Sequence, residues 1–168
     1  GDSPYQSFSA FAGNPYFIDF DLLARQGLLT EDELPAPQPA GPIRYDLLYT
    51  QRPATLQRAA DRLLASPSPA YEAFCQEQRA WLEDYALFMA IKEEQGQAGL
   101  ASWPDALRCR EPAALDAARQ RLAGRCGYFK AVQFFFYDQW TALKAYANGK
   151  GVRLIGDIPI YVSPDSSD

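Results

Sequence analysis

Histidine is missing from this chain of 168 residues. Its absence excludes a Ser-His-Asp or Cys-His nucleophile and the commonest zinc sites. Cysteine is scarce as well: Cys75, Cys109 and Cys126 are odd in number and share no CxxC spacing. A disulfide framework is therefore not indicated, and a reducing, cytoplasmic compartment is expected. Positive charge runs short, with a net charge of −5 and no cluster of Lys and Arg. That excludes a nucleic-acid partner held by phosphate neutralisation. No apolar run approaches the ~20 residues of a membrane span, and the opening residues do not read as a signal peptide. No internal repeat is visible, and no residue set calls for a metal or a cofactor.

What is present is apolar and aromatic. Hydrophobic residues make up 48% of the chain and aromatic ones 14%, which suits a globular core and argues against disorder. In residues 1–18, Tyr5, Phe8, Phe11 and Tyr16 interleave with small hydroxyl and acidic residues, fitting neither strand nor helix periodicity. The stretch reads as loop, with turns at Ser3-Pro4 and Gly13-Asn14-Pro15. A loop with this much aromatic surface packs on a core or stacks on a ligand.

Helical patterns fill the middle of the chain. Asp19 or Asp21 caps a short helix through Arg25, stopped by Gly27. Residues 30–43 form a proline-rich surface connector. A helical pattern from Asp46 to Leu64 contains Pro53, which predicts a kink or a fresh start there. Ser66-Pro67-Ser68-Pro69 ends it and opens the next helix, with Pro69 at the first position. That helix runs to about Gln95 on the stripe Tyr71, Phe74, Cys75, Gln78, Leu82, Tyr85 and Met89, and Gly96 ends it. Cys75 on this stripe reads as a small hydrophobe. Glu111-Pro112 starts another helix through Leu122, which Gly124 and Gly127 either break or merely bend. The last helix, Tyr128 to Asn148, is apolar around nearly its whole circumference near Phe134–Tyr137, so it is expected to be buried on more than one side.

The closing stretch from Gly151 to Val162 is short, β-branched and bounded by glycines and by Ser163-Pro164-Asp165. It reads as a buried strand, clearest near residues 152–157. Nothing else in the chain reads as a strand to pair with it, and a lone strand leaves its backbone donors and acceptors unpaired. The expectation is a mainly α segment with one or two short strands, cut from a larger protein.

Two stretches carry a resemblance. The opening Gly1-Asp2-Ser3-Pro4-Tyr5-Gln6-Ser7-Phe8-Ser9-Ala10-Phe11-Ala12-Gly13-Asn14-Pro15 and the closing Gly156-Asp157-Ile158-Pro159-Ile160-Tyr161-Val162 resemble signature segments of the 4-α-glucanotransferases, or amylomaltases, of glycoside hydrolase family 77. Trp81-Leu82-Glu83-Asp84-Tyr85-Ala86-Leu87-Phe88 and Gln133-Phe134-Phe135-Phe136-Tyr137-Asp138-Gln139-Trp140 resemble the same family, in the same order. The resemblance implies an α-retaining transglycosidase on a (β/α)8 TIM barrel, acting on maltooligosaccharides or α-1,4-glucan through a covalent glycosyl-enzyme. Retention needs a nucleophilic carboxylate and an acid/base carboxyl roughly 5 Å apart. In the family these come from strands later than the one ending at Asp157, so no catalytic residue is expected in this chain, and the chain alone is expected to be inactive.

The resemblance also divides the chain. Residues 1–20 would be the aromatic active-site loop after the second barrel strand, 21–149 a helical insertion subdomain, and 150–168 the third barrel strand with part of its following loop. Tyr5 matches the family tyrosine beside the sugar at the cleavage point, and Ser3 a residue lining the same cleft. Asp157 matches the carboxylate after the third strand, which hydrogen-bonds within the catalytic cluster. Asp165, Ser166 and Asp168 continue a family segment, from which Pro164 departs. A second reading is a non-catalytic helical module for sugar binding or protein contact, and a third a helical domain without a ligand. For Glu83, Asp84 and Asp138 solvated helix faces are the expected setting.

Overall fold

In the computed structural model, the described residues are 7–36, 41–156 and 162–168. Seven α-helices follow one another among them: α1 (Phe20–Arg25), α2 (Tyr45–Ala65), α3 (Pro69–Glu77), α4 (Arg79–Glu94), α5 (Asp105–Arg108), α6 (Pro112–Arg121) and α7 (Ala123–Gly149). Single 3-10 turns lie at Pro15–Phe17, Glu31–Glu33 and Leu100–Ser102.

Local chemistry sets several of the boundaries. The Asp19 carboxylate accepts from Asp21 N at 2.8 Å and Leu22 N at 3.3 Å, taking up two donors that the first turn of α1 leaves free. At its other end Gly27 adopts φ +77, so Gly27 N reaches Ala24 O and Leu28 N reaches Leu23 O, each at 2.9 Å. That pair of bonds is a Schellman stop. α3 starts with the Ser68 hydroxyl accepting from Tyr71 N and with Pro69 at its first position. α4 ends at Gly96, φ +63, followed by Gln97, φ +66, and Gln97 N returns to Lys92 O at 2.8 Å.

Three boundaries differ from the sequence reading. α2 runs unbroken through Pro53: Pro53 and Tyr49 both lie on the exposed face, where a carbonyl lacking its helical donor is hydrated. The helix expected from Pro69 to Gln95 is interrupted at Gln78, whose φ of −92 and ψ of 6 lie outside the α region. Its ladder is nearly retained, since Leu82 N still donates to Gln78 O at 3.0 Å. Finally, α7 starts at Ala123 and takes in Gly124 and Gly127. A Cβ at Gly127 would lie 3.3 Å from Leu64 Cδ1, so the bare backbone lets the end of α2 come close.

α7 is the central element, packing on α2, α3, α4, α6 and the Pro15–Phe17 turn. One side closes a core with α1 and α2 through Phe20, Leu23, Leu56, Leu63, Val132 and Phe135. The opposite side meets Phe74, Leu82 and Tyr85, and α4 and α6 enclose Phe88, Ile91, Trp103 and Leu115. Burying each such side chain contributes about 1.5–3 kcal/mol. Toward its C-terminus α7 exposes Trp140, Leu143 and Tyr146.

The expected strand is not formed among the described residues. Residues 152–156 are irregular, and Ile155 is 95% exposed. A strand exists through its ladder, and no other described residue offers one. Residues 157–161, the rest of that expectation, lie outside the described residues.

Candidate functional site

Residues 7–14 carry little regular structure, yet their polar groups have defined partners. Gln133 on α7 is fully buried (0% exposed) amid apolar neighbours. Its Oε1 accepts from Gly13 N at 2.7 Å, and its Nε2 donates to Gly13 O at 3.1 Å. One side chain thus satisfies both backbone groups of the half-buried Gly13, which lies in no ladder. Glycine is required at that point because a Cβ would overlap the Phe136 ring. The Tyr137 hydroxyl donates to Phe11 O at 2.6 Å, and the Phe11 ring stacks on Trp81, 6.1 Å between centroids and 24° between planes.

The other wall of this loop is the closing segment, residues 163–168. Ser167 donates to Phe8 O twice, from its backbone N at 2.9 Å and from its hydroxyl at 3.1 Å. The Asp168 carboxylate accepts from the Ser9 hydroxyl at 2.9 Å and from Ala10 N. Residues about 160 apart in sequence are therefore clasped by polar bonds, on the order of 1–3 kcal/mol each where a charged group takes part. Asp165 fixes the segment to the helices: its Oδ1 accepts from Leu100 N at 2.9 Å, and its Oδ2 lies 2.7 Å from Lys92 Nζ.

Ser3, Tyr5 and Asp157, the residues expected to face a sugar, lie outside the described residues. The structure does bring part of the opening motif, Phe8–Ala10, against Ser167–Asp168, which follow the closing motif by five and six residues. Sequence reading missed Gln133 and Lys92. The signal available for Lys92 was its position, four residues beyond Phe88 and three beyond Met89 on the buried stripe of α4. Asp84 pairs with Arg110, Glu83 with Lys130, and the Asp138 carboxylate accepts from Gln26, in keeping with their reading as exposed helix-face charges.

Acid/base chemistry needs a carboxyl raised toward neutrality. The described carboxylates with shifted acidity go the other way. Arg62 and the Thr30 backbone hold Glu33 at about 2; Arg44 lowers Asp46 and Arg121 lowers Glu94. Burial pushes Asp165 up, but Lys92 and the Leu100 N–H outweigh it and keep the group below the usual carboxylate range. Burial raises the Cys75 and Cys126 thiols, the reverse of what a nucleophile requires. No group of three or more potential metal ligands is found among the described residues. A cavity of about 350 Å³ adjoins the clasp, floored by Phe88, Ile91, Trp103 and Leu115 and rimmed by Arg110 and Ser167. Among the described residues, the carboxylates with shifted acidity are therefore all held in the charged form.

Comparison with known proteins identifies the family. The family model described as 4-alpha-glucanotransferase, glycoside hydrolase family 77, matches residues 1–168. A 4-alpha-glucanotransferase of Streptococcus pneumoniae is 44% identical over 173 residues, covering 100% of this chain and 34% of that protein. The Thermus thermophilus enzyme of the same name is 45% identical over 172 residues, again covering 100% and 34%. The structure superposes on amylomaltase from Streptococcus agalactiae in complex with acarbose with a TM-score of 0.91 at 44% identity, over 99% of this chain and 34% of that one. The chain thus spans about a third of the length of the relatives it matches. With its whole length matched by the family model and by these relatives, this chain belongs to the 4-alpha-glucanotransferase family.

Proposed function

We propose that this chain acts as part of a cytoplasmic 4-α-glucanotransferase on a (β/α)8 barrel, which moves α-1,4-glucan segments between maltooligosaccharides by retaining double displacement. Residues 1–20 form the sugar-facing loop, 21–149 the helical subdomain, and 150–168 the third barrel strand and the start of its following loop. Tyr5 stacks on the sugar at the cleavage point, Ser3 lines the cleft, and Asp157 holds a sugar hydroxyl or an arginine beside the nucleophile. The two catalytic carboxyls come from residues outside this chain. The observation that carries this reading is the clasp: it holds Phe8–Ala10 of the opening motif against the segment that follows the closing motif, as a shared ligand site would need. The acarbose complex of the similar amylomaltase supports a glucan-like ligand.

Full-length variants assayed for glucose release from maltotriose test the residue roles. Asp157→Asn removes a preorganised electrostatic partner at about 3 kcal/mol, some hundredfold in turnover, while preserving side-chain volume. Tyr5→Phe removes only a hydroxyl and should cost roughly tenfold or less. Wild-type turnover in Asp157→Asn, or loss of activity only through a lowered Tm, makes Asp157 structural and ends its proposed role.

A further inference from the structure

Among the described residues Lys92 is the only buried charged side chain, at 3% exposure. A buried ammonium costs several kcal/mol of desolvation unless its donors are all matched. Lys92 sits in the last turn of α4, and the chain folds back over that turn through Gly96 and Gln97. The reversal brings Ala98 O to 3.1 Å from Nζ, while Asp165 Oδ2 lies at 2.7 Å. Nζ also lies 5.0 Å from the Phe8 ring centroid and 5.9 Å from that of Phe88, both within cation–π range. One cation therefore touches three separate pieces of chain: the opening loop at Phe8, the closing segment at Asp165, and the turn after α4 at Ala98. Its two loop partners are themselves bound to each other, through Phe8 O and Ser167.

We propose that Lys92 is a positioning residue, a latch that fixes the opening loop and the closing segment against α4 and so sets where the sugar-facing motif stands. The proposal rests on the reading of this chain as part of a glucanotransferase, but the latch can be tested without it. Packing alone does not call for a charge here. A Met or Leu at position 92 would fill the space between Phe8 and Phe88, and only the charge reaches Asp165 and Ala98 together. The partners of Lys92 Nζ are Ala98 O, Asp165 Oδ2 and the Phe8 and Phe88 rings. Lys92 acts through Phe8 and Asp165, so its loss shifts geometry and leaves the chemistry intact.

The experiment compares Lys92→Met, Asp165→Asn and the double variant in the full-length protein, reading amide exchange and maltotriose kinetics. Asp165→Asn keeps an acceptor for Leu100 N and removes only the charge that Lys92 meets, so it answers the question even if Lys92→Met fails to fold. Exchange at Ala10, Leu100 and Ser167 should quicken in each variant while Phe135 on α7 stays protected. The value of kcat/KM should fall roughly tenfold, because small misplacements of a binding group are amplified in rate. The double variant should be no worse than Lys92→Met alone, since both remove one latch. Unchanged exchange at Ala10 and Ser167 in both single variants overturns the latch. Faster exchange with unaltered kcat/KM overturns its role in positioning. A wild-type protein inactive on maltotriose would defeat the glucanotransferase reading instead, and the exchange pattern would still decide the latch.

Discussion

The helical core and the clasp are held by different physics. Around α7, Phe135, Leu82 and Ala131 are closed off from water by apolar neighbours on several helices. At the clasp, residues 7–14 meet 163–168 through backbone groups, hydroxyls and the Asp168 carboxylate, and the Lys92 ammonium ties Asp165 of the closing segment to α4. Apolar packing is non-directional and insensitive to pH, whereas hydrogen bonds and ion pairs demand geometry and charge. The loop also rests on the core through Phe8, Ala12 and the Phe11–Trp81 stack, but its join to the closing segment is polar and can open while the core stays shut.

Cutting into the core should have the largest effect. Phe135→Ala removes a ring buried to 1% exposure and should cost about 3–5 kcal/mol, read as a shift of the urea midpoint without a change in slope. A smaller loss is expected from Gln133→Leu, which leaves Gly13 N and O without partners at roughly 1–3 kcal/mol. Its signature is local: exchange at Gly13 accelerates well beyond the change in global stability. Uniform acceleration along α7 would mean that loop and core are one cooperative unit, and the contrast drawn above would fail.

The smallest effect concerns a surface pair on the helical side. Glu33 sits at about 2, below its ordinary 4.5, because of Arg62 and then the Thr30 backbone. A carboxyl lowered on folding contributes stability that is complete above its unfolded value and lost as pH falls toward the folded one. Glu33→Gln should therefore be without consequence near pH 2 and mildly destabilising at pH 7, with the slope confined to between 4.5 and 2. Thermal melts across that window check it; an equal change of Tm at both ends would assign the effect to packing.

How much of this was legible in the sequence follows from the same contrast. Local chemistry reads well: Asp19, Gly27, Ser68-Pro69 and Gly96 mark helix ends by capping or left-handed backbone, and each stands where it was expected. The apolar girdle of α7 signalled burial on more than one side, and it has cores on opposite faces. Features settled by tertiary context were not legible. Nothing in the residues around Gln78 announces a break, and Gly124 and Gly127 gave no sign that α7 had already begun, because Gly127 serves the approach of Leu64. A strand at 152–156 needs a neighbour that no described residue supplies. The family motifs pointed to Ser3, Tyr5 and Asp157, but Gln133 and Lys92 were hidden as isolated polar residues in apolar stripes. Their partners, Gly13 and Asp165, lie 120 and 73 positions away.

We propose that the clasped segments form the sugar-facing side of this chain. Amide exchange of the full-length protein with and without acarbose measures it directly. The account predicts slowed exchange in residues 7–14 and 163–168 when acarbose is present, with the amides of α6 unchanged. Equal exchange in both segments with and without bound acarbose would place the sugar elsewhere and contradict it.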